Sequence, residues 1–114
     1  MIPEITVTEL AEKLKSQEQF ILLDVREAVE LGRAKITDSR LEVTPMSRLA
    51  RQGVNALPES VKARHAPVYV LCHHGNRSTD VTHWLVSQGW TNVFNVRGGI
   101  DAYAREIDKT VGFY

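Results

Sequence analysis

The chain has 114 residues, of which 43% are hydrophobic and 25% are charged, as in an ordinary globular protein. Fourteen basic residues balance fourteen acidic ones, so the charge favours neither nucleic acid nor a membrane as a partner. No apolar run reaches the roughly 18 residues of a membrane-spanning helix, and one cysteine cannot form an intramolecular disulfide. We therefore expect one domain, residues 1–114, in a reducing compartment.

The first half of the chain predicts helices and strands in alternation. Thr6 and Glu9 form the pattern of a capping box, so a helix should follow Thr6. The apolar run FILLDV, residues 20–25, predicts a strand that is covered on both faces, and residues 27–31 predict a short helical turn. A strand ended by its proline is expected at residues 41–45. A helix is expected at residues 47–57, and a further turn at residues 59–65.

The second half contains the clearest strand, PVYVLC, residues 67–72. A helix is predicted over residues 78–88, with Gly89 as its C-terminal stop. Another strand follows at residues 92–96, and a last helix at residues 100–107. This alternation predicts an α/β domain with a mostly parallel sheet. Ligands of such sheets bind beyond the carboxyl ends of the strands, where Cys72 lies.

The turn after Cys72 combines several features that stabilise negative charge. Gly75 permits a positive φ, and successive amide N–H groups in such a turn converge on an anion. The following helix adds its positive N-terminus, and Arg77 adds a full charge. Asp80, expected in the first turn of that helix, opposes them. A lone cysteine is often a small buried hydrophobe, but these neighbours favour a nucleophilic thiolate at Cys72.

The motif CHHGNRS, residues 72–78, on a strand–loop–helix resembles the active loop of single-domain rhodanese-like sulfurtransferases. LLDVRE, with Asp24 and Arg26, and NVFNVRGGIDAY, with Gly98 and Gly99, resemble two further motifs of that family in the same order. Glu30 stands where an acid usually follows, and the tail EIDKTVGFY resembles small bacterial and plastid-type members. The resemblance implies a rhodanese-like three-layer α/β fold, with about five mostly parallel strands and helices on both faces.

The resemblance also implies a function, transfer of sulfane sulfur through a persulfide of Cys72. The loop amides would hold the transferred sulfur, and their residues are His73, His74, Gly75, Asn76 and Arg77. Support for the loop is expected from Asp24, Arg26, Ser78, Gly98 and Gly99. The expected partners are a small-molecule sulfur donor and acceptor, or alternatively a protein thiol or persulfide. No cofactor is implied, and the expected location is the cytoplasm, or the plastid stroma for a plant protein.

The sequence departs from the family pattern at two places. AKITDS, residues 34–39, replaces a segment that often contains two glycines, a histidine and a proline, and Tyr103 replaces a common tryptophan. His73 and His74 lack enough partners for a zinc site, since only His65, His83 and scattered carboxylates remain. We therefore expect no metal. Either loop histidine could gain charge near neutral pH and attract an anionic donor.

Two other functions are compatible with the fold. Phosphatases and arsenate reductases with related folds have a similar loop, but with five residues between cysteine and arginine. Here four residues separate Cys72 from Arg77, a tighter cradle that suits one sulfur atom better than a phosphoryl group. A regulatory or protein-binding module of the same family is the alternative from a different functional class.

Overall fold

The computed structural model describes residues 2–114. The strands are β1 (Glu4–Ile5), β2 (Ile21–Asp24), β3 (Leu41–Val43), β4 (Val68–Leu71) and β5 (Val93–Val96). The α-helices are α1 (Val7–Lys15), α2 (Ala28–Leu31), α3 (Met46–Gln52), α4 (Glu59–Lys62), α5 (Asn76–Ser87) and α6 (Gly99–Glu106). Two 3₁₀ helices span Gly53–Ala56 and Lys109–Val111. Across residues 2–114, no helix combines the length and apolar character that crossing a membrane requires.

The five strands form one sheet in the order β1-β5-β4-β2-β3, and every neighbouring pair is parallel. The predicted α/β fold with about five strands is therefore confirmed. The central strand is β4, so the loop that follows it lies between the carboxyl ends of β2 and β5. The two-residue strand β1 was not predicted, because two residues are too few to show a periodic pattern.

Two hydrophobic cores cover the two faces of the sheet. Val68 and Val70 of β4 pack in one core with Leu85 of α5. The alternating residues Tyr69 and Leu71 belong to the other core, which includes residues of α1 and α6. All four of these β4 residues are buried, as expected for the middle strand of a covered parallel sheet. This arrangement is the predicted three-layer architecture.

Helix α5 starts two residues earlier than predicted. Its N-cap is Gly75, which adopts a left-handed φ of 99°, and Asn76 is its first residue. Asp80 is consequently outside the first turn, which contains no acidic residue. The expectation that Asp80 competes for the positive end of this helix is wrong, because the effect of the helix dipole is confined to the first turn. Helix α1 begins with the predicted capping box at Thr6.

Candidate active site

The sulfur of Cys72 lies at the N-terminus of α5. It accepts hydrogen bonds from the backbone amides of Gly75, at 3.2 Å, and Ser78, at 3.3 Å. The amides of Asn76 and Arg77 occupy the first two helical positions, where an α-helix offers no intrahelical acceptor. These N–H groups and the helix dipole stabilise negative charge on the sulfur. Cys72 is only 1% exposed, so a reactant must enter the loop to reach it.

A buried chain of hydrogen bonds holds the cysteine side chain from behind. The Ser78 hydroxyl lies 3.3 Å from the Cys72 sulfur and donates to Oδ1 of Asn95 at 2.6 Å. The amide group of Asn95 in turn donates to Glu4 at 3.0 Å. Because the hydroxyl proton is used by Asn95, the Ser78 oxygen is free to accept from the thiol. The sequence analysis missed Asn95, although a polar residue in an apolar strand was a usable signal.

Two glycines let the start of α6 pack against the cysteine loop. Gly98 and Gly99 have φ angles of 78° and 64°. A side chain at Gly99 would lie 2.5 Å from the Cys72 carbonyl oxygen and would also overlap the His73 carbonyl. Those two carbonyls accept hydrogen bonds from the next amides of the helix, Ile100 at 2.9 Å and Asp101 at 3.0 Å. The two glycines therefore allow a direct backbone brace for the loop.

Arg77 is engaged by a carboxylate. Its guanidinium donates to both oxygens of Glu30, at 2.7 and 2.8 Å. These hydrogen bonds lower the pKa of Glu30 to about 2, and they raise the pKa of Arg77. The nearby sulfur of Cys72 acts on the pKa of Arg77 in the same direction, although less than Glu30 does. Arg77 is therefore close enough to the Cys72 sulfur to interact with it electrostatically, whereas its hydrogen bonds are made to Glu30.

Asp24 and Arg26 form a buried ion pair at the end of β2. Both side chains have no exposed surface, and the Arg26 guanidinium donates to the carboxylate at 2.8 Å. The Arg26 backbone amide donates to the same carboxylate at 3.1 Å. Burial alone would lower the pKa of Arg26, but the hydrogen bonds and charge of Asp24 outweigh it and raise that pKa. The hydrogen bonds of this buried ion pair hold the end of β2 in place, and α2 begins a few residues later at Ala28.

Tyr114 connects this pair to Glu30 and to the cysteine loop. Its hydroxyl donates to Glu30 at 2.9 Å and accepts from Arg26 at 3.1 Å. Its ring stacks on the His73 ring with centroids 3.7 Å apart and planes 7° apart. The sequence analysis missed Tyr114, because its two polar partners are 84 and 88 residues away in the chain. The tail offers no distinguishing signal, because Phe113 is the neighbouring residue and is aromatic as well.

The rings of the two loop histidines lie against each other, with centroids 3.8 Å apart and planes tilted by 31°. Burial lowers the pKa of His73, and the nearby His74 lowers it further. The expectation that His73 gains charge near neutral pH is therefore wrong. Potential ligand atoms of His73, His74 and Asp101 lie within 4.8 Å of one another. Asp101 is paired with Arg105, and the expectation of no metal stays a prediction.

The start of the segment of residues 34–39 contacts the C-terminal tail. Ala34 and Ile36 are buried, and the Lys35 amide donates to the Val111 carbonyl at 2.9 Å. Gly112 packs so closely on the Arg33 carbonyl that a side chain there would overlap it. The tail thus supports the segment that departs from the family pattern, and it continues to Tyr114 beside the cysteine loop.

The sheet topology and the cysteine loop define an α/β protein with a thiol held at a helix N-terminus. The chain belongs to the rhodanese-like domain family, whose family model matches residues 6–106. It is 33% identical over 105 residues to a protein of Allochromatium vinosum named sulfurtransferase, covering 92% of this chain and 91% of that protein. The crystal structure of SSP1007 from Staphylococcus saprophyticus is 30% identical, with a TM-score of 0.73, covering 93% of this chain and 97% of that one.

A longer relative is found in a plant. The chain is 30% identical over 116 residues to the chloroplastic rhodanese-like/PpiC domain-containing protein 12 of Arabidopsis thaliana. The match covers 99% of this chain but only 38% of the length of the Arabidopsis protein. The resemblance to this relative is therefore confined to one part of it.

Proposed function

We propose that this protein is a sulfurtransferase that carries sulfane sulfur as a persulfide of Cys72. The observation that supports the proposal best is the pair of amides, from Gly75 and Ser78, that donate to the cysteine sulfur at the start of a 12-residue helix. They stabilise the thiolate that must attack the donor. They also offer donors to the terminal sulfur of the persulfide.

The reaction has two displacement steps through a covalent intermediate. In the first, the Cys72 thiolate attacks the outer sulfur of thiosulfate, a new S–S bond forms, and sulfite leaves with the electron pair of the broken S–S bond. With an organic persulfide as donor, the leaving group is the thiolate of that donor. In the second, an acceptor such as cyanide or a thiolate attacks the terminal sulfur of the persulfide. The Cys72 thiolate leaves, which restores the free enzyme.

Backbone N–H donors of the chain stabilise the negative charge on sulfur at each step of the reaction. A charge moves from the Cys72 sulfur to the outer sulfur of the persulfide, and the amides of Asn76 and Arg77, which have no intrahelical acceptor, are available to bind it. Ser78, held by Asn95, fixes the orientation of the cysteine. Preorganised N–H groups of this kind need no rearrangement as charge develops.

Intact-mass spectrometry tests the proposal directly. Incubation with thiosulfate should add one sulfur, about 32 Da, through the covalent intermediate, and cyanide should remove it as thiocyanate. Cys72→Ser should show neither the adduct nor thiocyanate formation. His65→Ala is a matched control outside the cysteine loop, and it should load sulfur as the native chain does. Undiminished turnover by the serine variant would refute the proposal, and a native chain that never loads sulfur would favour a regulatory module.

A phosphatase function fits the site less well. A phosphoryl group needs donors for three non-bridging oxygens, but the guanidinium of Arg77 is used by Glu30. The four-residue spacing also removes one amide from the loop. We expect the native chain to transfer sulfur and to hydrolyse aryl phosphates no faster than buffer. Cys72-dependent phosphate release at a substantial rate would overturn the assignment to sulfur transfer.

A further inference from the structure

The arginines beside Cys72 are already paired with carboxylates. Arg77 donates to both oxygens of Glu30, at 2.7 and 2.8 Å. Arg26 uses its guanidinium on Asp24, and neither side chain is exposed. The charge of a guanidinium paired in this bidentate way is already balanced, so it attracts a second anion less strongly.

The other cationic groups of this edge add little positive charge. Two further arginines are each paired with a carboxylate, as Arg97–Glu4 and Arg105–Asp101. Burial lowers the pKa of His73, which disfavours its charged form. His74 is exposed and lies 4.0 Å from an Asp101 oxygen. Among the described residues of this edge, the positive charge that faces the sulfur is mainly that of amide N–H groups.

We infer that Glu30 is a specificity-determining residue, which makes the Cys72 site select sulfur donors with at most one negative charge over the thiosulfate dianion. Organic persulfides belong to the selected class. The inference rests on the proposed function, and it specifies in addition which net charge of the sulfur donor the site prefers. The amides of Gly75 and Ser78 suit one negative charge on the attacking or transferred sulfur. A second charge on the donor finds no unbalanced cation, because Glu30 already neutralises the charge of Arg77.

Glu30 is held in this position by three elements of the fold. Its carboxylate accepts from the Glu27 amide at 2.9 Å, as part of the capping box of α2. It also accepts from the Tyr114 hydroxyl at 2.9 Å and from Arg77. With a pKa of about 2, it stays ionised at any pH used for a sulfur-transfer assay. The charge is therefore a fixed property of the site.

Two donors of similar shape and different charge test the inference. Thiosulfate is a dianion, and methanethiosulfonate is the monoanion in which a methyl group replaces one charged oxygen. The thiolate attacks the outer sulfur of either donor, and sulfite or methanesulfinate leaves with the electron pair of the broken S–S bond. The measured quantity is the second-order rate of persulfide formation on Cys72, followed by intact mass, and the ratio of the two rates reports charge selection.

Glu30→Gln keeps the size of the side chain and removes its charge. It should raise the thiosulfate rate relative to the methanethiosulfonate rate by about tenfold, the order expected for one charge at close range in a partly screened site. Glu30→Asp keeps the charge and should keep a ratio near that of the native chain. Glu27→Gln removes a charge from the same helix start without contact to Arg77, and it should change the ratio by less than about twofold at ordinary salt.

Salt provides a second measurement. In the native chain, the thiosulfate rate should change little with ionic strength, whereas in Glu30→Gln it should fall as salt rises, because Arg77 then attracts the dianion. A native thiosulfate rate that falls steeply with salt would overturn the inference. So would an unchanged rate ratio in Glu30→Gln, with folding checked by circular dichroism. If neither donor loads Cys72, the proposed function itself fails; if both load and only the ratio is unchanged, the inference alone fails.

Discussion

Gly99 offers a test of how closely α6 must approach the cysteine loop. In Gly99→Ala, the new methyl group would lie 2.5 Å from the Cys72 carbonyl oxygen and would overlap the His73 carbonyl. Both obstacles are backbone atoms, which cannot turn aside as a flexible side chain does. The residue also has a φ of 64°, where an alanine is strained. The substitution therefore combines a backbone cost with a steric one.

The size of the effect follows from these two contributions. A non-glycine residue in a strained positive-φ conformation costs about 2 kcal/mol, and overpacking adds about 1–3 kcal/mol. We expect Gly99→Ala to lose roughly 4 kcal/mol of unfolding free energy. Gly53→Ala is the matched control, because Gly53 has a φ of 61° but nothing within 4 Å of an added methyl group. It should lose only about 2 kcal/mol.

Urea unfolding of the two variants and the native chain measures the difference. The midpoint should shift further for Gly99→Ala than for Gly53→Ala, with the denaturant slope unchanged. Sulfur loading of Cys72 should slow in Gly99→Ala alone, since the overlap displaces the loop carbonyls. Equal losses of stability in the two variants would refute the reasoning, because the backbone cost would then account for everything.

Three further predictions concern the network around Glu30. Its pKa is lowered from 4.5 to about 2, so the ion pair with Arg77 stabilises the fold above about pH 4.5 and loses that effect as the pH falls towards 2. Acid titration of the unfolding free energy should show roughly 2 kcal/mol of this kind, after allowance for solvent screening, and Glu30→Gln should remove it. Arg77→Ala leaves the Glu30 carboxylate unpaired near Cys72, and alkylation by iodoacetamide at neutral pH should become slower; an unchanged alkylation rate would show that Arg77 has only a structural role. Tyr114→Phe keeps the stacked ring but loses both hydroxyl hydrogen bonds, and it should reduce the unfolding free energy by about 1–2 kcal/mol in thermal or urea unfolding, whereas no loss would mean that water replaces the hydroxyl.

The fold was predictable because its elements carry local signals. Apolar runs marked β2, β4 and β5, and the capping box marked the start of α1, all of which depend on neighbouring residues. The start of α5 was predicted at Ser78, two residues too late. In the structure, Gly75 is the N-cap with a left-handed φ. A helix start that depends on backbone conformation gives a weaker sequence signal than one that depends on a capping side chain.

The site was predictable only in part. The residues that surround the sulfur are adjacent in the chain, so the motif at residues 72–78 indicated them together. The partners of Arg77 and Ser78 come from other elements, Glu30 from α2 and Asn95 from β5. Such long-range pairs depend on how helices and strands are placed, which no local pattern specifies. The pairing of Arg77 with Glu30, which changes the charge of the site, therefore emerged only from the structure.

The brace between α6 and the loop has a consequence for the order in which the protein can be made. The Cys72 and His73 carbonyls are satisfied by amides of Ile100 and Asp101, near the end of the described chain. Synthesis proceeds from the N-terminus, so Cys72 joins the chain before the helix that fixes its loop. During that interval the thiol lacks its brace, and the paired strands beside it are incomplete. The chemistry of this cysteine thus begins only after nearly the whole domain has been translated and folded.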